Sequence, residues 1–131
     1  MAKKSELNVN IHITENVFSS TNIEENISSM VVPATVALKS KFVKPGVVSR
    51  LTDYGTYSEF NDTYVYIKNN GKMQLDVRSA SADAGIFGTL LPNDFIFVRM
   101  KKGLDVYVKN LGAGDGKVQL AYWQADKSTP R

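Results

Sequence analysis

Residues 64–78, YVYIKNNGKMQLDVR, return later in the chain as residues 105–123, DVYVKNLGAGDGKVQLAYW. Val65-Tyr66-Ile67-Lys68-Asn69-x-Gly71 matches Val106-Tyr107-Val108-Lys109-Asn110-x-Gly112, and Lys72-Met73-Gln74-Leu75 matches Lys117-Val118-Gln119-Leu120, with Ala113 to Gly116 as extra residues in the second copy. Each copy is an alternating β-branched and aromatic run, an Asn/Gly turn and a second alternating run. That pattern predicts a β-hairpin. Good hairpins resemble one another because Tyr, Val and Ile suit strands and Asn-Gly suits tight turns, yet the shared order is longer than propensity requires. Two copies are too few for a solenoid or propeller, so the repeat predicts two similar hairpins in one all-β core. If the second hairpin closes, Leu104, Val106 and Val108 oppose Val118, Leu120 and Tyr122.

The remaining segments add strands. Leu7, Val9, Ile11 and Ile13 alternate with Asn8, Asn10 and His12, a period of two that buries one face. Residues 14–29 are rich in Asn and Ser, and turns with one helical turn are expected there. Strand character resumes over residues 27–43 with a break at Pro33, and Lys44-Pro45-Gly46-Val47 is a turn followed by a short strand over residues 47–51. Residues 53–63, DYGTYSEFNDT, read as a loop and residues 79–85 as a small-residue connection. Residues 86–91 and 95–100 read as strands separated by the Leu91-Pro92-Asn93-Asp94 turn. The expected fold is an antiparallel, jelly-roll-like β-sandwich of about eight to ten strands. Residues 7–124 would form this single domain, between mobile tails at 1–6 and 125–131.

Charge and residue usage narrow the chemistry. The net charge is +3, but the excess lies at the ends of the chain, and residues 7–125 hold twelve bases against eleven acids. A body this balanced lacks the clustered basic face of a nucleic-acid binder. With no cysteine there are no disulfides, catalytic thiolates or cysteine metal sites. No apolar run reaches the length of a membrane helix and the first residues lack a signal-peptide pattern, so synthesis in the cytoplasm and no membrane partner are expected.

No constellation points to catalysis. His12 is the single histidine, on the polar side of the first strand, where a solvated position explains it. Nothing in the spacing of Glu24, Glu25, Asp53, Glu59 and Asp62 selects a catalytic pair. Gly112 to Lys117 resembles a phosphate loop superficially, but Leu111 stands where the motif needs glycine, Val118 where it needs Ser or Thr, and a strand follows instead of a helix. A hairpin loop whose glycines supply positive φ is the expectation. Asp115 and Asp62 lack the repeated oxygen ligands of a calcium loop. No cofactor or metal is expected.

The candidate contact residues are Tyr54, Tyr57 and Phe60, with Asp62 beside them. Aromatics next to Asn and Asp can pack within the fold, bury against a neighbouring subunit, or stack on a sugar, and all three readings stand. Lys101-Lys102 and the Lys39, Lys41, Lys44 series are read as solvated charge that discourages edge-to-edge pairing, with anionic capsid or nucleic-acid contact as a lesser reading.

Residues 64–124, with VYIKNNG, GTLLPNDFIFVRM and LDVYVKNLGAGDGKVQLAYW, resemble small all-β virion structural proteins of tailed bacteriophages. The resemblance lies in strand and turn residues, and the N-terminal half does not share it. It implies a capsid auxiliary or decoration protein, a head-fibre base, or a connector or tail component. Such a protein would be located in the virion, would assemble as a homo-oligomer with other virion proteins such as a major capsid protein, and would not be an enzyme. A carbohydrate- or receptor-binding sandwich using the Tyr54 to Phe60 loop is the alternative. An enzyme would have to depend on His12 or a carboxylate pair.

Overall fold

The alternation in the sequence becomes ten strands in a computed structural model, which describes residues 5–15, 21–31, 36–52, 62–101 and 104–124. The strands are β1 (Ser5–Glu15), β2 (Thr21–Val31), β3 (Val36–Val43), β4 (Val48–Arg50), β5 (Thr63–Asn69), β6 (Leu75–Arg78), β7 (Ile86–Leu90), β8 (Phe95–Met100), β9 (Tyr107–Asn110) and β10 (Gly116–Gln124). One turn of 3-10 helix, Asp83–Gly85, precedes β7. Two antiparallel four-stranded sheets, ordered β3-β10-β5-β8 and β4-β9-β6-β7, form a sandwich. From β3 to β10 every connection crosses between the sheets except β6 to β7, which is a jelly roll.

Three expectations change. Residues 14–29 were expected as turns, yet β2 pairs with β1 along its whole length, from Ser5 opposite Val31 to Glu15 opposite Thr21. The resulting ribbon is a separate two-stranded sheet, so the sandwich begins at β3, and β1 starts at Ser5 inside the stretch expected as a tail. The repeated units are not hairpins. β5 and β6 lie in different sheets, as do β9 and β10, so each unit is an arch over the core. Val106 and Val108 do face Val118, Leu120 and Tyr122, but through side chains packed between the sheets.

The arches interlock. β5 pairs with β10 and β6 with β9, so the first strand of each unit is joined to the second strand of the other. Asn69 stands opposite Val118 and Asn110 opposite Leu75, which makes Leu75 to Arg78 the equivalents of Val118 to Ala121. The sequence match of Lys72-Leu75 to Lys117-Leu120 is therefore out of register with the structure. The symmetry also extends further back. Gly46 donates its N–H to the Asn110 carbonyl at 2.9 Å and Asn93 donates to the Asn69 carbonyl at 2.9 Å, and both have φ near +70°, at 70° and 73°. The Pro45-Gly46 and Pro92-Asn93 turns are thus equivalent, and Gly and Asn are the residues that tolerate this left-handed backbone. β3 to β6 and β7 to β10 form two four-strand units related by an approximate twofold that exchanges the sheets.

Both sheets turn an aliphatic side inward. Val43, Val65, Ile67, Val118 and Leu120 from one sheet meet Leu75, Val77, Leu90 and Val108 from the other, all essentially without exposure. Each such side chain contributes about 1.5–3 kcal/mol when fully buried. Edge strand β3 sets Lys39 and Lys41 opposite Leu120 and Val118, on the core side of the ladder, and both remain exposed. Charges aimed inward on an edge strand oppose pairing with another sheet. Lys41 Nζ reaches the Arg50 carbonyl at 3.1 Å.

Two fully buried asparagines fix the arches. Asn69 Nδ2 donates to the carbonyls of Met73 at 2.7 Å and Leu90 at 3.0 Å, and its Oδ1 accepts from Gly71 N at 3.0 Å. Asn110 repeats this, donating to Gly114 at 2.7 Å and Val43 at 2.9 Å and accepting from Gly112 N at 2.8 Å. Each side chain ties its own arch to the end of a neighbouring strand. The glycines of the second arch do not supply positive φ as expected; among the described glycines only Gly46 has it. Glycine instead allows close approach of the two loops: a Cβ on Gly112 of the second arch would run into the Met73 side chain, and one on Gly71 of the first would lie 2.8 Å from Lys117 N. The two arch loops pack on each other.

Asn110→Ala and Asn69→Ala are each expected to cost about 2–4 kcal/mol in urea unfolding, because two carbonyls and a backbone N–H lose these side-chain partners. A loss below about 1 kcal/mol would show that the arches hold without them.

Candidate functional site

The approximate twofold supplies an internal comparison. Tyr66 pairs with Phe97 and Lys68 with Phe95 on the outer side of the β3-β10-β5-β8 sheet, while the equivalent pairs on the other sheet are Tyr107 with Arg50 and Lys109 with Val48. The same backbone positions therefore carry Phe95 and Phe97 on one sheet and Val48 and Arg50 on the other. Among the described residues the first sheet turns a cluster of aromatic rings away from the core, and Leu7 of the β1–β2 ribbon packs against it.

Tyr64, Phe97, Arg99 and Trp123 form the docking point. Tyr64 lies opposite Arg99 on β8 and Trp123 on β10, so all three project from the same side. The Tyr64 and Phe97 rings stack at 5.7 Å with planes 15° apart, and Leu7 of β1 packs on this group together with Trp123. That contact leaves Tyr64 buried although it points away from the sandwich core. Stacked rings of this kind add about 0.5–1.5 kcal/mol beyond their area. Further along the face, Phe95 lies 6.2 Å from Tyr66 and is 62% exposed, and Phe42 is 70% exposed with Lys117 Nζ 5.9 Å above its ring.

Asp62, the one candidate residue from sequence that the structure describes, sits at the rim of this group. Arg99 donates through Nε to Asp62 Oδ2 at 3.0 Å and through its terminal nitrogen to the Tyr64 hydroxyl, with its guanidinium 5.0 Å from the Tyr64 ring centre. Partial burial lowers the Arg99 pKa, but the bonds from Asp62 and Tyr64 outweigh it and hold the value above the ordinary one. Arg99 is thus a fixed cation that clamps Asp62 to the aromatic cluster. Tyr54, Tyr57 and Phe60 lie outside the described residues. The sequence reading missed Phe95, Phe97, Arg99 and Trp123, and the signal for them was present: β8 reads FIFVR, with aromatics where a solvated side would carry polar residues.

The ribbon itself has two unlike sides. Val9, Ile11 and Ile13 follow Leu7 on one side, joined across the ladder by Ile27 and by Glu25, which stands opposite Ile11. Val9 and Ile27 are half-buried, whereas Ile11 and Ile13 are 39% and 49% exposed. On the other side His12 contacts Thr14 Oγ1 at 2.8 Å and Glu24 at 3.4 Å, and Ser28 donates to Glu6 at 2.6 Å. His12 is therefore an exposed member of a polar ladder, as its place in the alternation predicts. Each strand has eleven residues, so the ribbon is about 35 Å long.

Among the described residues no group of three His, Asp or Glu side chains is placed to hold a metal ion, and no helix is long and apolar enough to cross a membrane. Comparison with protein-family models found none that matches the chain, and comparison with curated proteins likewise found no match.

Tyr64→Ala is expected to release the base of the ribbon while the sandwich persists. Limited proteolysis should then cut within residues 5–31 at least about tenfold faster, with β3 to β10 remaining intact. Unchanged cleavage would mean that Leu7 and Tyr64 do not anchor the ribbon.

Proposed function

We propose that this chain is a structural subunit of a bacteriophage virion, a capsid auxiliary or decoration protein or a related head component, that acts through protein–protein contact. The observation that carries this reading is the ribbon: a long amphipathic arm anchored at its base, with Ile11 and Ile13 left open to solvent. An isolated two-stranded ribbon is marginal in water, and its apolar side gains most of its stability by lying on another surface. The jelly roll is a frequent architecture of capsid domains and also of lectins, so the fold alone does not choose between them. The arm favours assembly. A carbohydrate reading rests on Tyr54, Tyr57 and Phe60 with Asp62, and the Asp62 carboxylate is engaged by Arg99.

In such a subunit the sandwich is the rigid block, stiffened by the interlocked arches, and the arm and the aromatic sheet face are the adhesive surfaces. Burial of apolar area provides the attraction, and exposed rim charges govern encounter more than affinity.

The reading is tested on particles made by the source genome, banded by density and probed with an antibody to this chain. The chain is expected to band with the particles in a fixed ratio to the main shell protein and to stay through a high-salt wash. Its absence from washed particles would overturn the proposal.

A further inference from the structure

Charge divides sharply between arm and sandwich. Residues 5–31 hold four glutamates, Glu6, Glu15, Glu24 and Glu25, and no Lys or Arg, whereas residues 36–124 hold twelve Lys or Arg against eight Asp or Glu. The near-neutral total conceals an acidic ribbon and a basic sandwich. The ribbon's apolar side carries one of those acids, Glu25, beside Ile11. The outer face of the β3-β10-β5-β8 sheet presents the complement: exposed Phe42 and Phe95 next to Lys117 and Lys68.

This face continues the surface on which Leu7 is already seated, yet Ile11 and Ile13 remain exposed and so do Phe42 and Phe95. Own arm and own face each leave their complementary parts uncovered. From this we infer that the arm of one copy lies across the aromatic, basic sheet face of a second copy, with Ile11 and Ile13 on the Phe42 and Phe95 region and Glu25 near its lysines. The inference rests on the reading of the chain as an assembling subunit and names the contact. Arm exchange places like chains in a closed or propagating set, according to the rotation between neighbours. Opposite charge on arm and face speeds the encounter and rejects a face-to-face pairing of two basic sheets.

The absence of cysteine makes the test clean. One chain carries Ile11→Cys and a second, affinity-tagged chain carries Phe95→Cys, so each has a single thiol. Mixed in equal amounts and treated with a short bis-maleimide, they are expected to give a tagged–untagged product of two chains. A chain bearing both substitutions that cross-links only within itself at every concentration overturns the inference, because the arm then covers its own sheet. A native oligomer without the mixed product also overturns it, and places subunit contact elsewhere while leaving the structural-subunit reading intact. By sedimentation, Ile11→Asp with Ile13→Asp, and separately Phe95→Asp, are expected to weaken self-association by on the order of a hundredfold. Leu111→Asp, at an exposed apolar site on an arch loop, is expected to leave it unchanged. Equal weakening by Leu111→Asp, or none by the other variants, overturns the inference.

Discussion

Two buried side-chain amides hold the places where the two repeated units cross from one sheet to the other. Asn69 and Asn110 each spend both amide hydrogens and the amide oxygen on backbone groups, and those groups belong to the arch loop and to the end of a strand beside it. A hairpin would have satisfied the same backbone groups within one ladder. Where the chain leaves the sheet, the N–H groups of Asn70 and Leu111 still bond the carbonyls of Lys117 and Gln74, but the half-buried groups at Gly71, Met73, Gly112 and Gly114 turn away from the ladder, and leaving such a group without a partner costs up to about 1–3 kcal/mol. The asparagine removes that cost and makes the crossing competitive. With both crossings in place, β5 pairs with β10 and β6 with β9, and the two sheets share one aliphatic core.

Against this rigid centre the arm is a different material. Among the described residues its backbone ladder runs between its own two strands, and Leu7 joins it to the rest among Tyr64, Phe97 and Trp123. The energetics separate accordingly: the sandwich is stabilised by many shared burials, and the described part of the arm by the Leu7 contact, the half-buried Val9–Ile27 pair and a few polar pairs on its surface. Exposed pairs such as His12 with Glu24 contribute little, since both groups are well solvated.

Much of the fold was legible because alternation and turn residues are local properties. The eight strands of the sandwich, the Pro45-Gly46 and Pro92-Asn93 turns and the repeat itself were all visible in residue order. The arches were not, because the pattern V-Y-[IV]-K-N-x-G fixes strand, turn and strand without naming the partner of either strand. β2 escaped for a related reason. A strand in a ribbon outside the core need not keep a full apolar side, and Glu25 takes a place beside Ile27 and opposite Ile11 that a core strand would have given to an aliphatic residue. The outward aromatics were hidden by their neighbours. In Phe95-Ile96-Phe97-Val98 both sides of the strand are apolar, and only the pairing of Ile96 with Ile67 reveals which side faces the core. Of the residues singled out from sequence, Asp62 falls beside the docking cluster, held by Arg99.

The exchange of strands makes each four-strand unit the other's partner. Neither unit owns a complete sheet: each contributes two strands to one side and two to the other, and every arch closes against its counterpart. A chain half as long, carrying a single unit, could have built the same sandwich as an intertwined pair of identical polypeptides, each making good the gaps in the other. Holding both units in one polypeptide makes the fold unimolecular, free of dependence on concentration. The two sheets nevertheless differ outside, one presenting Val48 and Arg50 where the other presents Phe95 and Phe97, so that a nearly symmetric object has a front and a back.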